Sequence, residues 1–201
     1  MRSRALPRSF YARDSRVLAP ELLNKVLVRR AAGEPALAAR IVEVEAYCGA
    51  EDAGSHAYRG ETRRNTTMFG PAGHLYVYFT YGMHWCANVV SGEPGTASAV
   101  LLRAAAPLMG LDQMRARRPK ARRDRDLLSG PAKLCAAFGI SGALDGADLV
   151  RPDPVGQLRI LDDGTPPPDV PLVTTRIGLA AGKGDEYPWR FCVPSDPNLS
   201  R

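Results

Sequence analysis

The chain is poor in cysteine, with four in 201 residues, and no two of them stand in a Cys-x-x-Cys spacing. Cys48, Cys86, Cys135 and Cys192 are widely scattered, so neither a zinc site nor a disulfide framework is signalled. A reducing, cytoplasmic compartment is the natural expectation. Long apolar runs are also missing: nothing approaches the ~20 residues that a membrane-spanning helix needs. The opening residues MRSRALPRSF are basic, but no apolar stretch or small-residue cleavage site follows, so no signal peptide is read. There are no internal repeats, and no linker is long enough to divide the chain. One well-cored domain over 1–201 is expected, with 1–15 as a flexible N-terminal segment.

What is present is an excess of positive charge. Lys and Arg outnumber Asp and Glu by 27 to 21, giving a net charge of +6 and a pI near 9.4. A basic balance favours a polyanionic partner without requiring one. Much of it sits in MRARRPKARRDRDLL, where Arg115, Arg117, Arg118, Lys120, Arg122, Arg123 and Arg125 are tempered only by Asp124 and Asp126. The run reads either as a solvated face or as a set of phosphate contacts, with Arg118 and Arg122 as candidates.

The apolar pattern predicts strands that cluster and do not alternate regularly with helices. VLAPELL reads as a helix with Pro20 early in it. KVLVRR and ALAARIVEVEAY read as strands, and HLYVYFTYGMHWCANVVS as two strands around a turn near Thr80, Tyr81 and Gly82. SAVLLRAAAP is another strand, ended by Pro107. PLMGLDQMRARR is a short helix. LSGPAKLCAAFGI is a second, with Ser129 as cap, Pro131 in the first turn and Gly139 as stop. QLRIL, VTTRIGLAAG and WRFCVP complete the strands. The class that fits is mixed α+β, a mostly antiparallel sheet with flanking helices.

Two strands carry polar groups that a simple packing role does not need. In RIVEVEAYCG, period-two alternation puts Val42, Val44 and Ala46 on one face and Glu43, Glu45 and Tyr47 on the other. That second face can be a wet side or the wall of a pocket. Arg103 is the lone charge in SAVLLRAAAP and needs an anionic partner if buried, for which Glu45 is suitable. Tyr76 and Tyr78 fit strand packing. Tyr81, beside a turn glycine, is poorly placed for a core and suggests a wedge that could enter a base stack. Asn88 in CANVV must find partners if buried.

Together IVEVEAY, DAGSHAYRGETRRNTTMFGPAGHLYVYFTYGMHWCANVV, AVLLRAAAPL, LLSGPAKLC, RIGL and PWRF resemble the alkyladenine (3-methyladenine) DNA glycosylase family. The segments occur in the same order over roughly Val17 to Pro197. The resemblance implies a single domain around a curved, open-barrel-like antiparallel sheet with a hairpin that enters the minor groove. It implies a monofunctional enzyme of base excision repair that flips alkylated or deaminated purines, such as hypoxanthine, from double-stranded DNA and hydrolyses the N-glycosidic bond with water. No metal or organic cofactor is implied, and a monomer is expected.

By motif, Glu45 matches the general base, Arg103 the arginine near the attacking water, and Ile177 the residue whose backbone carbonyl faces that water. Tyr47 matches one wall of the base pocket, His56 and Tyr78 the other, and Asn88 its floor. Tyr81 matches the intercalating tyrosine and Arg64 a backbone-contacting arginine. Two departures, Arg63 where proline is common and Gly54 where alanine is usual, are expected to loosen the loop. Three other readings remain at this point. A non-catalytic nucleic-acid module would not need a pocket carboxylate. An O-glycoside hydrolase could pair Glu43 with Glu45 but has little use for the basic run. A glycosylase-lyase would need an amine, for which Lys133 is the candidate. Glu43 is also a weak candidate for protonating neutral bases.

Overall fold

In a computed structural model, residues 3–151 and 157–200 are described. The β-branched and aromatic segments pair into one antiparallel sheet. Its strands are β1 (Arg4–Ala5), β2 (Val26–Arg30), β3 (Leu37–Cys48), β4 (Leu75–Thr80), β5 (His84–Ser91), β6 (Ser98–Met109), β7 (Gln157–Asp162), β8 (Leu172–Thr174) and β9 (Arg190–Cys192). The main order is β1-β7-β2-β3-β6-β5-β4, and the β8–β9 pair attaches to β3 through β9. The sheet ends in free edges and does not close. Among the described residues four short α-helices flank it: α1 (Arg8–Tyr11), α2 (Ser15–Leu22), α3 (Leu111–Arg117) and α4 (Pro131–Phe138).

β3 is the hub. Its first half pairs with β2, its second half with β9, and β6 runs along its other edge. The β3–β6 register shifts between Ile41 and Glu43 and again between Glu43 and Val44. Such irregularities re-aim side chains locally, and here they bracket Glu43. The expected alternation holds from Val44 on: Val44 and Ala46 join the main core with Leu27, Leu102 and Phe138, but before the register shifts it is Ile41, and not Val42, that belongs to that core. The opposite face is not wet, however. Glu43 and Glu45 are both fully buried, because β9 and the chain on either side of it cover that side of β3.

Several local expectations change. Residues 3–15, expected to be flexible, carry β1 paired to β7 and α1, whose Tyr11 is fully buried. α2 begins at Ser15, where Asp14 accepts a hydrogen bond from the Arg16 N–H, so Pro20 lies inside the helix and not at its start. β6 continues through Pro107 to Met109. The side chain of Ser129 does not cap α4; Gly130 holds that position, while Pro131 and the left-handed Gly139 sit as expected. VTTRIGLAAG is strand only to Thr174, and Ile177 follows in a loop. Among the described residues the four cysteines are free, no cluster of potential ligands suits a metal, and no helix is long and apolar enough to cross a membrane.

Candidate active site

The site forms where β3, β4, β5 and β6 bring their polar residues to one face, under the loop that follows β8. A cavity of about 270 Å³ lies there, lined by Tyr47, His56, Tyr78, Tyr81, Asn88, Arg103 and Ile177 among others. Its size is near the lower end for small-molecule sites, and four tyrosines and a histidine are among its walls. Eight of the eleven residues singled out from sequence thus converge: these seven, and Glu45, which is held beneath the lining. Arg64 stands at the neighbouring hairpin, and Arg118 and Arg122 lie elsewhere.

The two glutamates of β3 have different surroundings. Glu43 Oε1 accepts from Arg103 Nε at 2.9 Å, Arg190 Nε at 2.8 Å and the Ser200 hydroxyl at 2.6 Å, while Oε2 accepts from the Ser200 N–H at 2.6 Å. Burial alone would raise this carboxyl, but the hydrogen bonds from Arg190 and Ser200 and the charge of Arg103 outweigh it and hold Glu43 below the usual range. Glu45 Oε1 accepts from the Ile177 N–H at 2.8 Å, and Oε2 from the Tyr47 hydroxyl at 2.9 Å. Arg103 Nη1 lies 3.3 Å from Glu45 Oε2. An ionised carboxylate offers about four lone-pair sites. Among the described residues Glu43 accepts four hydrogen bonds, three on Oε1 and one on Oε2, whereas Glu45 accepts two, one on each oxygen, besides its ion contact with Arg103. The sequence expectation paired Arg103 with Glu45 alone, whereas its guanidinium bridges both carboxylates. Ile177 meets Glu45 through its N–H; the expected role rested on its carbonyl.

The aromatic walls are cross-braced. Tyr76, a buried part of the cavity wall, stacks on Tyr78 at 5.5 Å between ring centroids, and its hydroxyl pairs with His56 Nδ1 at 3.0 Å. His56 stands at the open rim, edge-on to Tyr78 at 4.4 Å. Desolvation, with the nearby charge of Arg64, pushes its imidazole below the ordinary histidine range, so it is neutral at pH 7. Burial drives Tyr47 and Tyr78 upward, with the charge of Glu45 and the hydrogen bond to it adding to the effect at Tyr47, and both remain phenols. Asn88 is buried and donates from Nδ2 to the Tyr76 carbonyl at 3.3 Å, which leaves its Oδ1 for the cavity.

The β4–β5 hairpin projects beside this cavity. Tyr81 and Gly82 both have positive φ, and Met83 N–H bonds the Thr80 carbonyl, a primed turn that matches the twist of the strands. Tyr81 is 81% exposed and Met83 69%. A non-glycine residue held in the left-handed region with its ring in solvent is strained without any packing return. Arg64 donates to the Phe79 carbonyl at 2.8 Å and lies over the Tyr78 ring, tying the 50–70 loop to the hairpin.

One part of the site was not read from sequence. Arg176 and Asp52 form a fully buried, two-pronged pair with contacts of 2.5 and 2.8 Å. Arg176 also donates to the carbonyls of Ala46 and Gly184. Its guanidinium lies 4.6 Å from the Tyr47 ring centroid and 5.0 Å from that of Trp189. It therefore pins the loop that delivers Ile177 to Glu45 and backs the Tyr47 wall. The partners are 124 positions apart, a separation no local pattern reports. Gly54 belongs to this packing: a Cβ there would meet the Lys183 carbonyl at 2.7 Å and Leu179 at 2.9 Å. The departure from alanine thus admits a close approach of two loops, which is tightening where loosening was expected.

The basic run is partly neutralised. Arg115 pairs with Asp112 and Asp124, Arg123 with Asp126, and Arg117 with Glu34. Among the described residues Arg118, Lys120, Arg122 and Arg125 have no ion pair. Lys133 spends its ammonium on the Ser129 hydroxyl at 3.3 Å, and it does not line the cavity.

Comparison with known proteins places these features in a family. A family profile described as methylpurine-DNA glycosylase matches residues 9–197. The chain is 53% identical over 195 residues to a protein of Burkholderia lata, covering 97% of this chain and 90% of that one. It is 50% identical over 196 residues to a Streptomyces avermitilis protein (97% and 90%), and 47% identical over 197 residues to one from Carboxydothermus hydrogenoformans (98% of each). All three carry the provisional name 3-methyladenine DNA glycosylase.

Proposed function

The chain belongs to the methylpurine-DNA glycosylase family and is a hydrolase of N-glycosyl bonds that acts on DNA; from that premise we propose that it flips damaged purines out of the duplex and hydrolyses their glycosidic bond with water activated by Glu45. The observation that carries this reading is the unequal occupancy of the two buried carboxylates. Glu43 accepts four hydrogen bonds from three residues, while Glu45, beneath the cavity lining, accepts two and keeps more acceptor capacity for water.

A base inside a stack cannot reach such a cavity, so it must leave the helix. The exposed Tyr81 beside the cavity is suited to fill the gap. Tyr47, Tyr78 and the neutral His56 offer faces and edges for a flat heterocycle, and a cationic alkylated purine is held more strongly on such faces. As the bond breaks, its electron pair leaves with the base and positive charge develops on the sugar. Glu45 stabilises that charge and takes a proton from the attacking water, and Arg103 Nη1 beside it helps to orient the pair. A cationic purine leaves neutral without further help. Glu43 is a poor source of the proton a neutral base such as hypoxanthine would need, since it is buried, held by four hydrogen bonds and biased toward its charged form. Its burial away from the cavity lining and its ties to Arg103, Arg190 and Ser200 argue against Glu43 in a two-carboxylate O-glycosidase mechanism, in which both groups must meet substrate or water.

The test is incubation with duplexes carrying an alkylated adenine or hypoxanthine, followed by detection of alkali-labile abasic sites. Glu45→Gln keeps the shape but removes the base, so excision should fall by several orders of magnitude while the damaged duplex still binds. Excision near the wild-type rate would reject the mechanism.

A further inference from the structure

The segment after β9 returns to the floor of the site. Asn198 N–H and Nδ2 both bond Asp196 Oδ1 at 2.8 Å, a local turn that aims the following residues inward, and Ser200 is 9% exposed. Its hydroxyl does two things at once. It donates to Glu43 Oε1 at 2.6 Å and accepts from Arg103 Nη2 at 3.3 Å. Arg103 Nε meets the same Glu43 oxygen at 2.9 Å. One edge of the planar guanidinium, Nε with Nη2, is thus closed into a ring with Glu43 and Ser200. That leaves Nη1 as the group directed at Glu45.

We propose that Ser200 is a positioning residue for the excision reaction: by clamping the Nε–Nη2 edge of Arg103 against Glu43, it sets the angle at which Nη1 addresses the Glu45 carboxylate. A guanidinium held only by Glu43 can rotate about that contact and carry Nη1 away, because a single carboxylate oxygen does not fix the plane of the fork. Displacements of about 1 Å in a reacting constellation cost up to ~10²-fold in rate. Ser200 lies beyond residues 9–197, the part matched by the family profile. The sequence offers no hint of the role either, since Ser200 and Glu43 stand 157 positions apart. The inference rests on the assignment of Glu45 and Arg103 to the reaction.

The experiment measures single-turnover excision of an alkylated adenine from duplex DNA at saturating enzyme, together with duplex affinity and Tm, for Ser200→Ala, Ser200→Thr and Ser200→Cys. Ser200→Ala retains the main-chain N–H on Glu43 but loses the bridge. Its rate should fall roughly tenfold to a hundredfold well below its Tm, with duplex affinity unchanged. Ser200→Thr, which keeps a hydroxyl, should recover most of that rate. Ser200→Cys preserves the shape with a much weaker donor and should resemble Ala, so it answers the question even if the alanine variant folds poorly. In an Arg103→Lys background, where no fork remains to be clamped, Ser200→Ala should add little further loss. A wild-type rate in Ser200→Ala or Ser200→Cys, or losses that multiply fully in the Arg103→Lys background, would overturn the proposal. If Glu45→Gln also excises normally, the fault lies with the assignment of the reacting pair; if Glu45→Gln is inactive, only the role of Ser200 fails.

Discussion

Arg176→Met isolates the contribution of the buried anchor from that of the reacting groups. Both members of the Arg176–Asp52 pair are fully buried. Breaking a buried pair by removing one partner costs about 3–5 kcal/mol, because the survivor is left charged and uncompensated. Asp52 retains two backbone donors, Cys48 N–H at 3.2 Å and Gly54 N–H at 2.9 Å, so the loss should lie toward the lower end, about 3 kcal/mol. For a chain of this length each kcal/mol shifts Tm by roughly 2–4 °C, which gives about 6–12 °C. Asp52→Asn in the same chain removes the orphaned charge and keeps an acceptor for one of those two donors, its NH2 facing the other, so the double variant should regain part of the stability. It should not regain the rate. Without the guanidinium, nothing holds the 176–184 loop to the Ala46 and Gly184 carbonyls, and the Ile177 N–H loses its fixed aim at Glu45 Oε1. Calorimetric melting of the wild type and both variants, with single-turnover excision at a temperature where all are folded, separates the effects. A double variant that recovers stability and full excision together would refute the idea that Arg176 acts through Ile177.

Two further outcomes are expected. Glu43 is held below its ordinary pKa, so the folded state binds fewer protons than the unfolded chain as the pH approaches the unfolded value of about 4.3. The stabilisation it provides is complete above that value and is lost as the pH falls through the folded pKa; Tm should therefore drop steeply below about pH 4.3 in the wild type and less steeply in Glu43→Gln, and identical slopes would show that other carboxylates carry the acid sensitivity. Arg118→Ala with Arg122→Ala should weaken binding to damaged and undamaged duplexes alike and lower the log–log salt slope by about 0.9 for each phosphate that is no longer neutralised, whereas an unchanged slope in a fluorescence-anisotropy titration would return both residues to a solvated face.

Local periodicity makes much of the sheet legible. β3 through β6 are readable because alternation and the turn at Thr80–Gly82 are properties of neighbouring residues. The failures are where burial is decided by distant chain. The N-terminal segment looks polar, yet Tyr11 is buried beneath the sheet and Arg8 is tied to Asp148 at 2.6 Å. The segment after Thr174 has the composition of a strand, but Arg176 draws the backbone toward Asp52 and breaks the extension. Pro20 suggests a helix start because prolines favour that place, while the Asp14 cap sets the start earlier.

The pair Glu43 and Glu45 shows how far such reading goes for a site. Alternation alone puts both carboxylates on one face of β3, and Arg103 opposite them is recognisable as a buried charge in need of a partner. Neither observation says which glutamate reacts. That depends on how many lone pairs remain after the fold has made its hydrogen bonds, and the decisive donors come from residues far away in sequence: Ile177, 132 positions from Glu45, and Arg190 and Ser200, 147 and 157 positions from Glu43. Glu43, with four hydrogen bonds, holds distant chain segments together, and Glu45, with two, keeps the acceptor capacity that its proposed role needs. The two carboxylates share residue type, strand and face, and what separates them is the set of donors that distant parts of the chain supply.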